Sequence, residues 1–296
     1  SALPYTGGMM RLLLPAAFLM SAALAQNRAV VTAPVLNMFS KPSADADVVS
    51  QARYGMTVLV DEINGGWARI RTPHDNYPGW ADRAQLRALA EGERYAENGR
   101  VAVVDSLRAH IYRTPSVTRH APLVTAPYET RLEVLEEPET DERRWIRVRL
   151  PDLREAWIQR GDVMFDPPLL SVPELIALAR RFLGLPYTWG GTTSFGFDCS
   201  GFTQMLVRRG GVLMPRDAQP QADWDGMLRI ARDELQPGDL VFFGPNERKI
   251  NHTGFYLGAG EFIHSTTNTK PVLQISRLDE PPWTRLLVAC RRWRKP

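Results

Sequence analysis

A pattern of short β-type alternations that occurs twice limits what this chain can fold into more than any other feature. From Val30 to about Leu89 the apolar residues come in runs too short for helices. These are Leu36-Asn37-Met38-Phe39, Met56-Thr57-Val58-Leu59-Val60, Trp67-Ala68-Arg69-Ile70-Arg71 and Gly79-Trp80-Ala81, with turns at Lys41-Pro42-Ser43 and Asn64-Gly65-Gly66. From Gly99 to about Phe165 the same order returns in Val101-Ala102-Val103-Val104, Ala109-His110-Ile111-Tyr112, Arg131-Leu132-Glu133-Val134-Leu135, Trp145-Ile146-Arg147-Val148-Arg149 and Ala156-Trp157-Ile158. Trp67 and Trp80 correspond to Trp145 and Trp157, which sets a period of roughly 77 (157 − 80). Strands of this length and spacing predict a small all-β barrel or sandwich, and the recurrence predicts two of them. The acidic stretch Glu136 to Glu142 is expected to be an extended loop of the second copy.

The β pattern stops at Asp166-Pro167-Pro168, because proline cannot continue a strand ladder. Ser171-Val172-Pro173-Glu174 then carries the signals of a helix start: a Ser cap, an early Pro and Glu three positions after the cap. Leu175, Ala179 and Phe182 supply its apolar face. Ser200 to Arg209 reads as a second helix with Phe202, Met205 and Leu206 as its stripe. Strand-like segments follow, from Leu240-Val241-Phe242-Phe243 to Leu286-Leu287-Val288-Ala289-Cys290. Helices first and strands afterwards predict an α+β domain. The expected divisions are 26–92 and 93–168 for the two β units and 169–296 for the α+β domain.

Residues 1–25 stand apart. Met9-Met10-Arg11 offers a start and a positive charge, Leu12 to Leu24 an apolar run, and Ala23-Leu24-Ala25 a small-x-small cleavage pattern. The run is too short to span a bilayer. It therefore reads as a signal peptide, which predicts export to the periplasm or medium with no stable membrane anchor. Ser1 to Gly8 precede the expected start and take no part in the fold reading. A net charge of +3 over 296 residues argues against nucleic acid as a partner. The basic end, Arg291-Arg292-Trp293-Arg294-Lys295, reads as a solvated tail, with attraction to an anionic surface as the lesser alternative. No feature indicates an oligomer, and a monomer is assumed.

The chain holds two cysteines, 91 positions apart (290 − 199), which make no metal-ligand pattern. No metal or cofactor is indicated. Cys290 lies in the last apolar run and reads as structural. Cys199 stands at a helix start, where unpaired backbone N–H groups favour a thiolate and can donate to an oxyanion; a buried, inert thiol is the alternative. A nucleophilic thiol needs a base and a group that orients the base. Of the five histidines, His74, His110 and His120 lie in or beside turns of the β units and read as surface residues. His252 and His264 lie on strand segments separated by a glycine-containing turn. Twelve positions (264 − 252) across a hairpin bring two rings together, since directly opposed residues stand about 5 Å apart. Cys199 is then the nucleophile, His252 the base and later the acid, and His264 the orienting partner.

Residues 171 to 296 resemble the NlpC-type papain-like cysteine peptidases of bacterial cell walls. The resemblance rests on Pro186-Tyr187-Thr188-Trp189-Gly190-Gly191, Asp198-Cys199-Ser200-Gly201, Pro215-Arg216-Asp217-Ala218, Pro237-Gly238-Asp239-Leu240-Val241-Phe242-Phe243, His252-Thr253-Gly254 and Phe262-Ile263-His264-Ser265. Both β repeats resemble bacterial SH3-type barrels. The resemblance implies the Cys–His–His triad. It implies that Tyr187 helps the backbone N–H of the Cys hold the oxyanion, and that Asp198, with Ser200 beside it, binds the free amine of the substrate by charge pairing. Asn76-Tyr77-Pro78-Gly79-Trp80 resembles the turn of relatives in which a barrel sits over the cleft. There the Tyr closes the site around an N-terminal L-Ala, and the bond between γ-D-Glu and a diamino acid is cut; for Tyr77 a turn aromatic packed on its own barrel is the alternative. The helper acid of those barrels has no clear match, with Met56, Asp61 and Glu62 near its place.

The resemblance thus implies an endopeptidase whose partners are peptidoglycan stem peptides or muropeptides. Arg216 and Asp217 read either as substrate contacts or as a structural ion pair at the end of the Cys helix. Asp239 reads as a turn into a core strand, and Trp189 as packing beside the nucleophile. Two other functions are open: a wall-binding adaptor with an inert third domain, and amidase or acyl-transfer chemistry at the same triad.

Overall fold

The computed structural model describes residues 27–137 and 144–294. The expected signal segment, Lys295 and most of the acidic Glu136–Glu142 stretch lie outside the described residues. No helix among the described residues is long and apolar enough to cross a membrane.

The two β repeats fold into two seven-stranded antiparallel sheets. In the first, the strands Val48–Arg53, Val35–Phe39, Pro78–Asp82, Trp67–Arg71, Thr57–Asn64, Asn27–Val31 and Leu86–Ala88 lie side by side in that order. In the second the order is Val124–Pro127, Arg108–Tyr112, Glu155–Gln159, Trp145–Arg149, Arg131–Glu136, Val101–Val104 and Val163–Met164. Position by position the topology is the same. Even the aromatic pairs repeat: Phe39–Trp67 and Tyr112–Trp145 each meet edge-on at 5.5 Å and 88°. Alternation places Leu36, Met38, Val58, Ala68 and Ile70 inside the first unit and Ile111, Leu132, Ile146, Val148 and Ile158 inside the second.

In the third unit, the helix Val172–Arg181 opens with the expected capping box, Glu174 accepting from the backbone N–H of Ser171 at 2.7 Å. The helix Cys199–Arg209 is buried along all of its length except Arg208 and forms the axis of the unit. It packs on a six-stranded antiparallel sheet ordered Met227–Ile230, Leu287–Trp293, Leu240–Phe243, His252–Gly258, Glu261–Thr266 and Val272–Arg277. The basic end is not a solvated tail. It continues the strand Leu287–Trp293, where Arg291 is buried with its Nε on the Ala222 carbonyl, Arg292 pairs with Asp239 at 2.8 Å, and Trp293 is in the core. A run of charges hid a strand because its partners are distant in sequence. Cys290 is a buried free thiol on that strand, as expected.

Aromatic plugs join the units. Tyr54 of the first enters the core of the second, and Tyr128 of the second enters the core of the third, edge-on to Phe182 at 5.5 Å. Burying such a side chain contributes about 2–3 kcal/mol. The first unit also reaches the third directly. Gln51 accepts from the Thr192 hydroxyl through its carbonyl at 3.0 Å, and Asp75 accepts from Gln204 at 2.9 Å. Gly190 makes this approach possible: its φ is +72°, and a Cβ there would stand 2.8 Å from Cγ1 of Val48.

Candidate active site

Asp198 caps the helix that begins at Cys199, accepting the Gly201 N–H at 2.7 Å. Both of its oxygens are held by Arg216, at 3.0 Å from Nη1 and 2.6 Å from Nη2. The same guanidinium reaches the Ser200 hydroxyl at 2.9 Å and, through Nε, Ser50 of the first unit at 3.2 Å. Arg216 is 2% exposed. Burial works to lower its pKa, but the Asp198 carboxylate outweighs burial and the net shift is upward. The ion pair left open by the sequence is therefore Arg216 with Asp198, at the start of the Cys helix and not at its end.

The two histidines meet, although not as directly opposed residues. The ladder pairs Phe255 with Ile263 and Tyr256 with Phe262, so His264 faces Gly254 and lies diagonal to His252. A Cβ on Gly254 would come within 3.3 Å of the His264 Cβ and 2.6 Å of the Phe262 ring, so glycine leaves room for the crossing. His252 Nε2 and His264 Nδ1 are 2.7 Å apart, and His264 Nε2 lies 3.0 Å from Ser276 Oγ. Trp283 stacks on His252 at 5.3 Å and 26°. These two distances fit either direction of donation; the one in which His252 donates through Nε2 to His264 and His264 donates through Nε2 to Ser276 leaves His252 Nδ1 open as an acceptor.

The sulfur of Cys199 lies against the backbone N–H of Thr253, next in sequence to His252. Burial, then the charge of Asp198, pushes the thiol up to about 12, against the pull of the Thr253 N–H, Arg216 and the Ser200 N–H. Burial also lowers His252 to about 4, and burial followed by His252 holds His264 well below its ordinary value. Burial therefore opposes the thiolate that the helix start favours, and it favours the neutral form of both thiol and imidazole.

A cavity of about 610 Å³ opens onto Cys199. Its floor includes Tyr187, Asp198, Ser200 and Asp217, and its roof is Asp47, Val48, Val49 and Tyr77 of the first unit. Of the expected catalytic and substrate-binding residues, Cys199, Tyr187, Asp198, Ser200 and Tyr77 line it, and His252 and His264 do not. Tyr187 is held neutral by burial and by the neighbouring Cys199 and Asp198, which raise its pKa. Tyr77 is not simply packed on its own sheet: its hydroxyl donates to Asp217 at 3.0 Å. Trp189 is not packing either, since it is 70% exposed at the rim. Met56 is in the first core, Asp61 pairs with Arg71 at 2.7 Å, and neither these nor Glu62 lines the cavity. Asp47, which does, follows a Ser/Ala/Asp turn that carries no sequence signal of a site. Ser276 and Trp283 were also missed, because a lone Ser and a lone Trp have no spacing that points to the histidines.

Residues 184–292 match the NlpC/P60 family, and residues 38–86 match the bacterial dipeptidyl-peptidase Sh3 domain. A gamma-D-glutamyl-L-lysine dipeptidyl-peptidase of Bacillus cereus is 34% identical over 260 residues, 82% of this chain and 74% of that protein. One of Bacillus subtilis is 29% identical over 84% of this chain and 82% of its own length. The crystal structure of an NlpC/P60 family protein from Bacillus cereus superposes with a TM-score of 0.78 at 27% identity, covering 91% of this chain and 100% of that one. The chain belongs to the NlpC/P60 family of cysteine peptidases.

Proposed function

We propose that this chain is an exported endopeptidase that hydrolyses the bond between γ-D-Glu and a diamino acid in peptidoglycan stem peptides whose N-terminal L-Ala is free. Cys199 is the nucleophile, His252 the base and then the acid, and His264 the orienting group. His252 Nδ1 takes the thiol proton as sulfur attacks the γ-carbonyl. The oxyanion receives the Cys199 N–H and the Tyr187 hydroxyl. His252 returns the proton to the leaving amine, a thioester forms, and water attacks it with His252 again as base. Asp198, Ser200 and Tyr77 close the end of the cavity on the substrate ammonium, and a buried carboxylate favours a cation there. Residues 26–92 and 93–168 are two bacterial SH3-type barrels, 169–296 is the peptidase domain, and 1–25 is the export signal.

The observation that carries this reading is the histidine pair at 2.7 Å, joined through the Thr253 N–H to a Cys at a helix start whose cavity is roofed by another unit. The relatives' dipeptidyl-peptidase names support the substrate class. The test is mass spectrometry of digests of L-Ala-γ-D-Glu-diamino-acid peptides, free and N-acetylated. Release of L-Ala-D-Glu from the free peptide by the native chain and none by a folded Cys199→Ala variant is expected. Cleavage by Cys199→Ala, or equal rates on both peptides, sinks the respective part.

A further inference from the structure

A second cavity, of about 220 Å³, lies where the first two sheets meet, away from Cys199. Its lining includes Arg28, Arg53, Arg131, His74 and one acidic residue, Glu97. That carboxylate is taken: Glu97 binds Arg28, and Arg94 stands 3.7 Å from it. Arg53 gives its Nε hydrogen to the Glu129 carbonyl at 3.1 Å, and Arg131 its Nε hydrogen to the Ala96 carbonyl at 3.1 Å. Among the described residues neither arginine forms a direct ion pair, and their terminal nitrogens have no hydrogen-bond acceptor. The Glu129 side chain, the anion nearest Arg53, is bound by Arg208. His74, expected on the surface, is half-buried on this wall, and its ring makes no hydrogen bond among the described residues.

Arg53 is half-buried and Arg131 exposed, so both keep their charge, and a guanidinium with free N–H groups gains most from an ionised oxygen acceptor. Burial lowers the Arg53 pKa to about 10, with Glu129 opposing and Arg208 and Arg131 reinforcing, which marks how little negative charge the wall supplies. Arg53 and Arg131 line the same cavity, and guanidinium forks match the oxygen pairs of phosphate or carboxylate. At roughly 30 Å³ for each water, the cavity has room for one small oxyanion and the waters around it.

We propose that the seam between the two sheets is a binding site for a small oxyanion, held between Arg53 and Arg131 with His74 alongside. This site is independent of the peptidase reading. A phosphoryl group and a dicarboxylate share the required chemistry, and the two are separable. The full chain would be titrated calorimetrically with inorganic phosphate and with glutarate, each against sodium chloride at matched ionic strength. Saturable one-to-one binding of either probe, weakened at least tenfold by Arg131→Gln, is the expected result, and the probe that binds names the class. Arg131 is exposed, so its replacement spares the fold; Arg53→Gln, wherever it folds, should weaken binding further. The proposal is overturned if neither probe saturates, or if Arg131→Gln binds as the native chain does.

Discussion

The side chains of Tyr77 and Asp217 meet at 3.0 Å although 140 positions separate them in sequence. The bond ties the roof of the cavity to its floor. Burial raises both groups, Tyr77 to about 12, so the hydroxyl stays a donor. Tyr77→Phe keeps the ring and deletes the bond, at a cost of about 1.5–3 kcal/mol for a hydrogen bond to a charged group. We expect kcat/KM on free-amine peptides to fall by about tenfold, with the loss mainly in KM. A steady-state comparison of the two chains checks this, and unchanged KM would remove Tyr77 from substrate closure.

Arg216 donates to Asp198, Ser200 and Ser50 from one plane, a geometry that the point charge of Lys cannot reproduce. Arg216→Lys leaves part of a buried carboxylate unpaired, and breaking such a pair costs about 3–5 kcal/mol. Urea unfolding should therefore show a markedly lower midpoint. A midpoint equal to that of the native chain would mean that water replaces the fork.

Legibility in the sequence followed the range of the interactions. The double sheet could be read because alternation and the paired tryptophans are local signals, and Phe39–Trp67 repeats as Tyr112–Trp145. The Cys199 helix could be read because its apolar stripe is contiguous, whereas its Asp198 cap was not read. The histidine pair could be read because a hairpin joins it. Contacts made by docking left no such trace. Val48 against Gly190, Ser276 behind His264 and Trp283 on His252 each join residues with no common periodicity. Arg291 and Arg292 misled for the same reason, since the Ala222 carbonyl and Asp239 that satisfy them lie 69 and 53 positions away.

Ser276 is a positioning residue. Its hydroxyl lies 3.0 Å from Nε2 of His264, a ring that is 0% exposed and meets His252 through its other nitrogen. Ser276→Ala leaves that ring nitrogen unpaired and removes the bond that sets the tautomer. We expect kcat to fall by about three- to tenfold, from a loss of about 1 kcal/mol, with KM unchanged. Ser276→Thr should restore most of the rate. A merely structural role would instead lower stability and leave kcat alone.

The neutral thiol–imidazole pair makes a claim about pH. In the folded chain His252 is lowered from 6.5 to about 4, so the unfolded chain binds more protons below about 6.5. Stability should therefore fall as pH drops from about 6.5 through about 4. Cys199 is raised from 9.0 to about 12, so its contribution is complete below about 9 and lost as pH rises towards 12. Activity should follow the same two limits. The base form of His252 persists down to about 4, so kcat/KM should stay level through pH 6.5, where an unperturbed histidine would cut it. Alkylation of Cys199 by iodoacetamide should quicken steadily with pH above neutrality, because the thiolate must be formed against burial. A thiolate–imidazolium pair would instead react fast and almost independently of pH from about 5 upwards, so the slope of that rate decides between the two resting states.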